Sequence, residues 1–462
     1  MENACKVFVP FGAIGTGITK EAFDNGIQMK PDIISCDAGS TDSGPYYLGK
    51  GIGKYAKEAI KKDMQLIMIA AKKLSIPVTI GSCGTCGSNY GVDEMAAICR
   101  EICEEEQLSF KIAKIYTQQN PKILMEKYNA GLIHPLEAAP NISSETFAEC
   151  SNIVALAGVE PFITALEAGA DIVLCGRATD TAIIAAMPIM RKCNVAAAWH
   201  GAKIAECGAL CTTNPMTGGV FLNFDDTGFT VEPTATNNRC TVFTVSAHLL
   251  YENVDPEKLT EPSGTIDTST ALYTQLDERR VRVTGTTIKK ASQYTMKLEG
   301  AAPAGYQTIS IVGIRDKRIM RNPMQWLNAL SDYAKSKMTE LEIPGEYSFE
   351  LKPYGWNAVS GETIEPDSYV PQEIGVILVV TASTQELATK VAKVFNPLLL
   401  HFPVHLNEQL HSFAFAFSPA EIEKGQIFEF KLNHVVEVTS PLELVKIVYE
   451  EFLTGGKSHA KN

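Results

Sequence analysis

Arg177 carries the clearest chemical potential in the chain. It sits in Cys175-Gly-Arg-Ala-Thr-Asp180, directly after an apolar run, and a guanidinium can clamp a carboxylate or phosphate through two parallel hydrogen bonds. Three other apolar runs end in similar fashion, in small and hydroxyl-bearing residues. They lead into Gly12-Ala-Ile-Gly15-Thr-Gly17, into Cys36-Asp37 with Ser40-Thr41-Asp42-Ser43-Gly44, and into Ser82-Cys83-Gly-Thr85-Cys86-Gly. If these runs are neighbouring strands of an open parallel sheet, their exits converge where such sheets bind ligands. Arg177 would then hold a substrate anion, with Ser40, Thr41, Ser43, Gly44, Ser82 and Thr85 as hydrogen-bonding wall. Asp42 and Asp180 would orient a proton carrier.

The carriers expected from sequence are His200 and Lys203. A helix pattern over 196–207 spaces His200, Lys203 and Glu206 three apart, along one face, and a histidine near neutral pH is a ready proton carrier. The plain alternative is a solvated polar face with an ion pair. The turn Gly12, Gly15, Gly17 has the order G-x-x-G-x-G, the reverse of the dinucleotide fingerprint, yet Asp37 falls where a ribose-binding carboxylate would stand. These four residues therefore form a candidate nucleotide site, beside the simpler reading of a tight strand–helix turn. Cys36, Cys83 and Cys86 leave strands at the same edge and could hold a divalent metal or an iron–sulfur cluster. Against this stands the ordinary role of buried thiols as small apolar residues.

The elements that must position these residues follow from periodicity. Strand patterns at 7–11, 32–36, 77–80, 111–116, 153–157 and 171–175 alternate with helix patterns at 54–74, 93–106, 121–129, 160–168 and 179–190. Continuous apolar strands between helices mean a parallel sheet covered on both faces. The expected fold is a doubly wound, mostly parallel α/β domain over 1–215, a β-rich region over 216–305 and an α+β domain over 306–462. Within the later regions, Thr241-Val-Phe-Thr-Val-Ser reads as a strand and 441–452 as a helix.

Composition narrows the classes. Charged residues make up 20 % and apolar ones 45 % of 462 residues, which is globular usage. The net charge of −12, without clustered Lys and Arg, argues against nucleic acid. No stretch is long and apolar enough for a membrane span, and none reads as a signal peptide. Twelve cysteines occur, none after Cys240, a pattern unlike a small secreted disulfide framework. These features lead to the expectation of a cytoplasmic protein.

Several long stretches resemble a known family. They are Gly39-Ser-Thr-Asp-Ser-Gly-Pro-Tyr-Tyr-Leu-Gly, Gly81-Ser-Cys-Gly-Thr, Ala168-Gly-Ala-Asp-Ile-Val-Leu-Cys-Gly-Arg-Ala-Thr-Asp-Thr-Ala, Ala198-Trp-His-Gly-Ala-Lys-Ile-Ala-Glu-Cys-Gly-Ala, Leu250-Tyr-Glu-Asn-Val-Asp-Pro and Glu261-Pro-Ser-Gly-Thr-Ile-Asp. In this order they are similar to the acyclic terpene utilisation AtuA-like family. The resemblance implies a part in bacterial citronellol and geraniol breakdown, beside enzymes of branched acyl-CoA intermediates. It implies no particular reaction, though Asp42, Arg177, Asp180, His200 and Lys203 fall within its pattern. The expectation is a catabolic enzyme, a hydro-lyase or isomerase, acting on a small organic acid or acyl thioester as a homo-oligomer or with a small partner subunit. A nucleotide-dependent oxidoreductase and a non-catalytic subunit of a catabolic complex are the alternatives.

Overall fold

A computed structural model describes residues 3–250, 255–365, 368–404, 413–452 and 459–461. Residues 251–254 of one family-like stretch, the irregularly spaced His405 and His411, and most of the glycine-rich tail lie outside them. The fold is mixed α/β with several sheets. The chain forms two compact units, residues 1–302 with 430–462, and residues 303–429.

In the first unit, β1 (Cys5–Val9), β2 (Ile33–Asp37), β3 (Val78–Gly81) and β4 (Phe110–Tyr116) arise as the apolar runs suggest. β5 (Ile172–Cys175) inserts between β3 and β4, and all five are parallel in the order β1-β2-β3-β5-β4. Their residues are buried almost without break, as a sheet covered on two faces requires. Helices α1 (Lys20–Gln28), α2 (Lys57–Leu74) and α3 (Asn89–Glu105) connect β1 to β4 and pack on one face through Phe23, Ile60, Met64 and Val92. The other face takes α4 (Glu160–Glu167), α5 (Ala182–Met190) and α6 (Val195–Ala205), with Phe162, Ile183 and Trp199 in the core.

The parallel strands continue on both sides into antiparallel partners. β6 (Val220–Phe224), β7 (Gly228–Pro233), β8 (Leu272–Gln275) and β9 (Val281–Thr284) extend the sheet beyond β1 in the order β6-β7-β9-β8. β10 (Lys446–Phe452) joins β4 antiparallel, with Val448 opposite Lys114. The sheet thus recruits strands from well beyond residue 215. The expected helix at 441–452 is corrected by β10: its one-sided pattern serves a strand whose partner is over 300 residues away. The expected strand at 241–246 is instead the helix Val242–His248. The Thr241 and Thr244 side chains cap it reciprocally, and this hydroxyl capping stabilises a first turn despite β-branched residues. The expected strand at 153–157 is Asn152–Ala155. It leaves the parallel sheet and pairs with Leu298–Ala301.

The second unit pairs Tyr306–Ile314 with Ile374–Ala382, which in turn pairs with Tyr347–Tyr354, all antiparallel. Helices Pro323–Glu340 and Gln385–His401 cover this sheet through Leu327, Leu330, Val391 and Phe395. Among the described residues no helix is long and apolar enough to cross a membrane.

Candidate active site

The exits of β1, β2, β3 and β5 meet at one place. Two adjoining clefts, of about 350 Å³ and about 270 Å³, share Asp42, Asp180 and Glu206 in their walls. The first is also lined by Gly12, Asp37, Ser40, Ser43, Lys54, Tyr55 and Thr85. The second adds Arg177, Thr179, Thr181, Lys203 and Glu261. A larger hollow of about 530 Å³ lies beside β4 and β10. Its acids are already paired, Asp93 with Lys114 and Tyr116, Glu443 with Lys127 and Thr439, so the two smaller clefts, where the strand exits meet, are the candidate site.

The backbone between β3 and α3 is unusual. Ser82 and Thr85 hold positive φ of 47° and 72°, a conformation costing of order 1–3 kcal/mol each. Gly87 lies so close to the Arg177 amide that a Cβ there would overlap it. This tight approach brings Ser82 Oγ under Arg177. Arg177 is 5 % exposed. Its Nε donates to Glu299 Oε2 at 3.1 Å, and its Nη1 to Asp180 Oδ1 at 2.9 Å, Ser82 Oγ at 2.9 Å and the Ala178 carbonyl at 3.0 Å. Thr41 also bonds Glu299. Burial opposes ionisation of Glu299, but Arg177 and Lys297 hold its carboxyl below the usual range. The charge of Arg177 is therefore already balanced by two carboxylates of the protein. The expected anion clamp is corrected accordingly: only Nη2 has no hydrogen-bond partner among the described residues.

Three carboxyls here are pushed upward. Asp37 takes the Gly39 amide at 3.1 Å on Oδ2, while its buried Oδ1 has no partner. Burial, then the nearby charge of Asp180, raises it well above the ordinary value. Glu261 accepts from Thr181 Oγ1 at 2.6 Å, and its buried Oε2 is likewise without a partner. Burial pushes Glu261 up to about 7. Glu206 is raised to about 8 by burial, although Lys203 Nζ lies 2.5 Å from its Oε1. Glu261 and Glu206, buried and near neutrality, are suited to proton transfer at physiological pH.

The helix face expected to carry His200, Lys203 and Glu206 is split. At about 100° per residue, each step of three rotates backward by about 60°, so His200 and Glu206 point apart. Lys203 and Glu206 reach the cleft and are buried rather than solvated. His200 faces the sheet instead, with Nδ1 2.7 Å from Thr286 Oγ1 and Nε2 3.0 Å from Tyr273 Oη. Burial lowers it to about 3. The ring is neutral, held at both nitrogens and absent from the walls of both clefts, so its expected catalytic part is withdrawn. His200→Ala is expected to lower stability by about 2–4 kcal/mol, through a cavity and two lost hydrogen bonds. The denaturation midpoint would show this, while activity per folded molecule stays unchanged.

The glycine turn is also filled from within. Asp63 of α2 accepts from the Gly15 amide at 2.8 Å and the Gly17 amide at 3.1 Å. An internal carboxylate thus occupies the position a phosphate would need, and Asp37 faces the cleft rather than a ribose. Of the nucleotide set, Gly12 and Asp37 line the cleft and Gly15 and Gly17 do not. Asp63→Ala should cost about 1–2 kcal/mol by leaving both amides unmet, measurable by urea denaturation.

The thiols do not converge. Cys36 and Cys83 belong to the core under α1–α3, and Cys86 packs with Leu48 and Val154. Cys36 Sγ donates to the Asp37 carbonyl at 3.1 Å. Burial raises all three thiols, which opposes the thiolate a metal requires. Among the described residues no group of three His, Cys, Asp or Glu has metal-holding geometry. The expected Cys36–Cys83–Cys86 ligand set is corrected to three separate apolar contacts.

Asp42 accepts from Ser40 Oγ at 2.6 Å, and Ser43 Oγ from Lys54 Nζ at 3.2 Å. Thr85 Oγ1 accepts the Lys54 amide at 3.0 Å, and Gly44 closes the short turn at Thr41–Ser43 with φ 98°. The residues missed by sequence reasoning are Glu261, Glu299 and Asp63. Glu261 stood in a family-like stretch, which was its only signal. Glu299 lies on a strand paired with Val154, and nothing local marks it.

The family model for acyclic terpene utilisation family protein AtuA matches residues 53–409. Comparison with curated proteins and with solved structures gave no match. The matched stretch contains Ser82, Arg177, Asp180, Lys203, Glu206, Glu261 and Glu299, while the Gly12 and Asp37–Ser43 walls precede it. With most of its length matched, and with it most of the cleft, the chain belongs to the acyclic terpene utilisation AtuA family, which has a catabolic role.

Proposed function

We propose that the protein is a cytoplasmic catabolic enzyme that moves protons beside a carbonyl group of a small organic acid derivative or branched acyl thioester, in hydration–dehydration or isomerisation. The observation that carries this reading is Glu261. Its buried Oε2 is without a hydrogen-bond partner, in the same cleft wall as Arg177, Lys203 and Glu206. A carbonyl oxygen placed on Arg177 Nη2 would gain charge as the neighbouring carbon loses its proton, and preorganised donors favour that change. Glu261 Oε2 takes this proton. In dehydration, protonated Glu206 gives its proton to the departing hydroxyl, the carbon–oxygen bond breaks, and water and a carbon–carbon double bond form. Lys203 orients Glu206 and balances it once ionised. Asp42 and Asp180 line the junction of the clefts and orient the polar end of the substrate.

The test is solvent exchange. Branched 3-hydroxyacyl and 2-enoyl thioesters of N-acetylcysteamine, incubated with the protein in heavy water, should gain deuterium at the carbon next to the carbonyl, as read by mass spectrometry. Absence of exchange and of hydration across this set rejects the reading.

A further inference from the structure

We propose that the cleft selects a substrate whose reacting end is electrically neutral and hydroxyl-bearing, a carbonyl in ester, thioester or amide linkage rather than a free carboxylate. The inference rests on the proton-transfer reading of the site and names its substrate class. It follows from charge placement. The cation at the proposed carbonyl position already holds two carboxylates. Arg177 is bound to Glu299 and Asp180. Asp37, Asp42 and Glu261 make no ion pair among the described residues. An incoming carboxylate on Arg177 Nη2 would therefore stand beside Asp180 and Glu299 against a guanidinium whose charge they already balance, in a site where burial makes each unpaired charge costly.

The vacant hydrogen-bonding positions agree with this. Asp37, in the wall of the first cleft, has a buried Oδ1 without a partner. A hydroxyl both donates and accepts, so it can satisfy this oxygen in either protonation state, which a carboxylate cannot do. Arg177 Nη2 is the complementary position. With its charge neutralised, it remains an N–H donor for an uncharged carbonyl oxygen. Lys54, whose Nζ bonds Ser43, stands at the exposed end of the first cleft and does not alter the balance around Arg177.

The test uses the full chain and three probes sharing a skeleton: 3-hydroxy-3-methylbutanoate, its N-acetylcysteamine thioester, and the 3-methylbutanoyl thioester without the hydroxyl. By titration calorimetry the hydroxy thioester should bind about tenfold or more tightly than either other probe, since each lacks one matched feature. Asp180→Asn uncovers part of the guanidinium charge and should improve binding of the free acid roughly three- to tenfold. Glu299→Gln, read only if the variant folds, should do the same from the other side. The proposal is overturned if the free acid binds as tightly as the hydroxy thioester. It is also overturned if neither variant gains affinity for the free acid, or if no probe binds. Calorimetry needs no turnover, so selection without deuterium exchange would reject the proton-transfer reading alone. Exchange with the free acid as preferred substrate would reject the charge selection alone.

Discussion

Arg177→Met is expected to destabilise the protein by about 3–5 kcal/mol, because it takes the buried guanidinium from Asp180 and from Glu299, leaving Glu299 only the ion pair with Lys297 at 3.4 Å among the described residues. Glu299 is 4 % exposed, so water cannot take over the missing partner. Part of the loss should return in Arg177→Met combined with Glu299→Leu, since the pair is then removed together. The urea midpoints of the two singles and the double form a cycle, and coupling of roughly 0.5–3 kcal/mol is the range for groups in contact. Additive singles would mean that Arg177 and Glu299 act independently. Solvent exchange should vanish in both Arg177 variants, because Nη2 is the only guanidinium nitrogen without a hydrogen-bond partner among the described residues.

Glu261→Gln is expected to cut turnover by about 10²–10⁴, the usual range for loss of a general base. The amide keeps the shape and the contact with Thr181 but cannot take a proton. The pH profile gives the sharper signature. Turnover needs Glu261 ionised, at about 7, and Glu206 protonated, at about 8. The wild type should therefore show a narrow bell between these values, reported as properties of the coupled set. Any residual rate of Glu261→Gln should lack the acid limb. A bell unchanged by the substitution would remove Glu261 from the mechanism.

Stability follows from the same groups with a definite sign. Folded Glu261 and Glu206 are raised above their ordinary value of 4.5, so the native state holds protons that the unfolded chain has released. Their contribution is fully present below about pH 4.5 and is lost as pH rises through about 7 and then about 8. Thermal melts should show a falling midpoint across this window, and Glu261→Gln should flatten it. A midpoint that climbs from pH 5 to 9 in the wild type would contradict the assigned environments.

Much of the fold was legible because its signals are local. Lys57–Leu74 and Pro121–Asn129 follow from helical periodicity and from capping by Pro121 and Asn120. The strands before Asp37, Ser82 and Arg177 follow from short apolar runs ended by small residues. The misread segments are those where a distant partner overrides the local pattern. Lys446–Phe452 is a strand because β4 offers it an open edge, and a periodicity window holds no information about that edge. His200 was assigned to the wrong face because spacing by three places residues near one another without saying which of them meets the core.

By itself the sequence determined that glycine-rich and hydroxyl-rich exits from four apolar runs would gather near Arg177, since periodicity and turn chemistry act over a few residues. Tertiary structure alone decided the electrical character of that place. Glu299 meets Arg177 from 122 positions away, and Glu261 meets Thr181 from 80. Whether a buried group stays charged depends on the water it loses and the partners it gains, and both are set only when distant segments close around it.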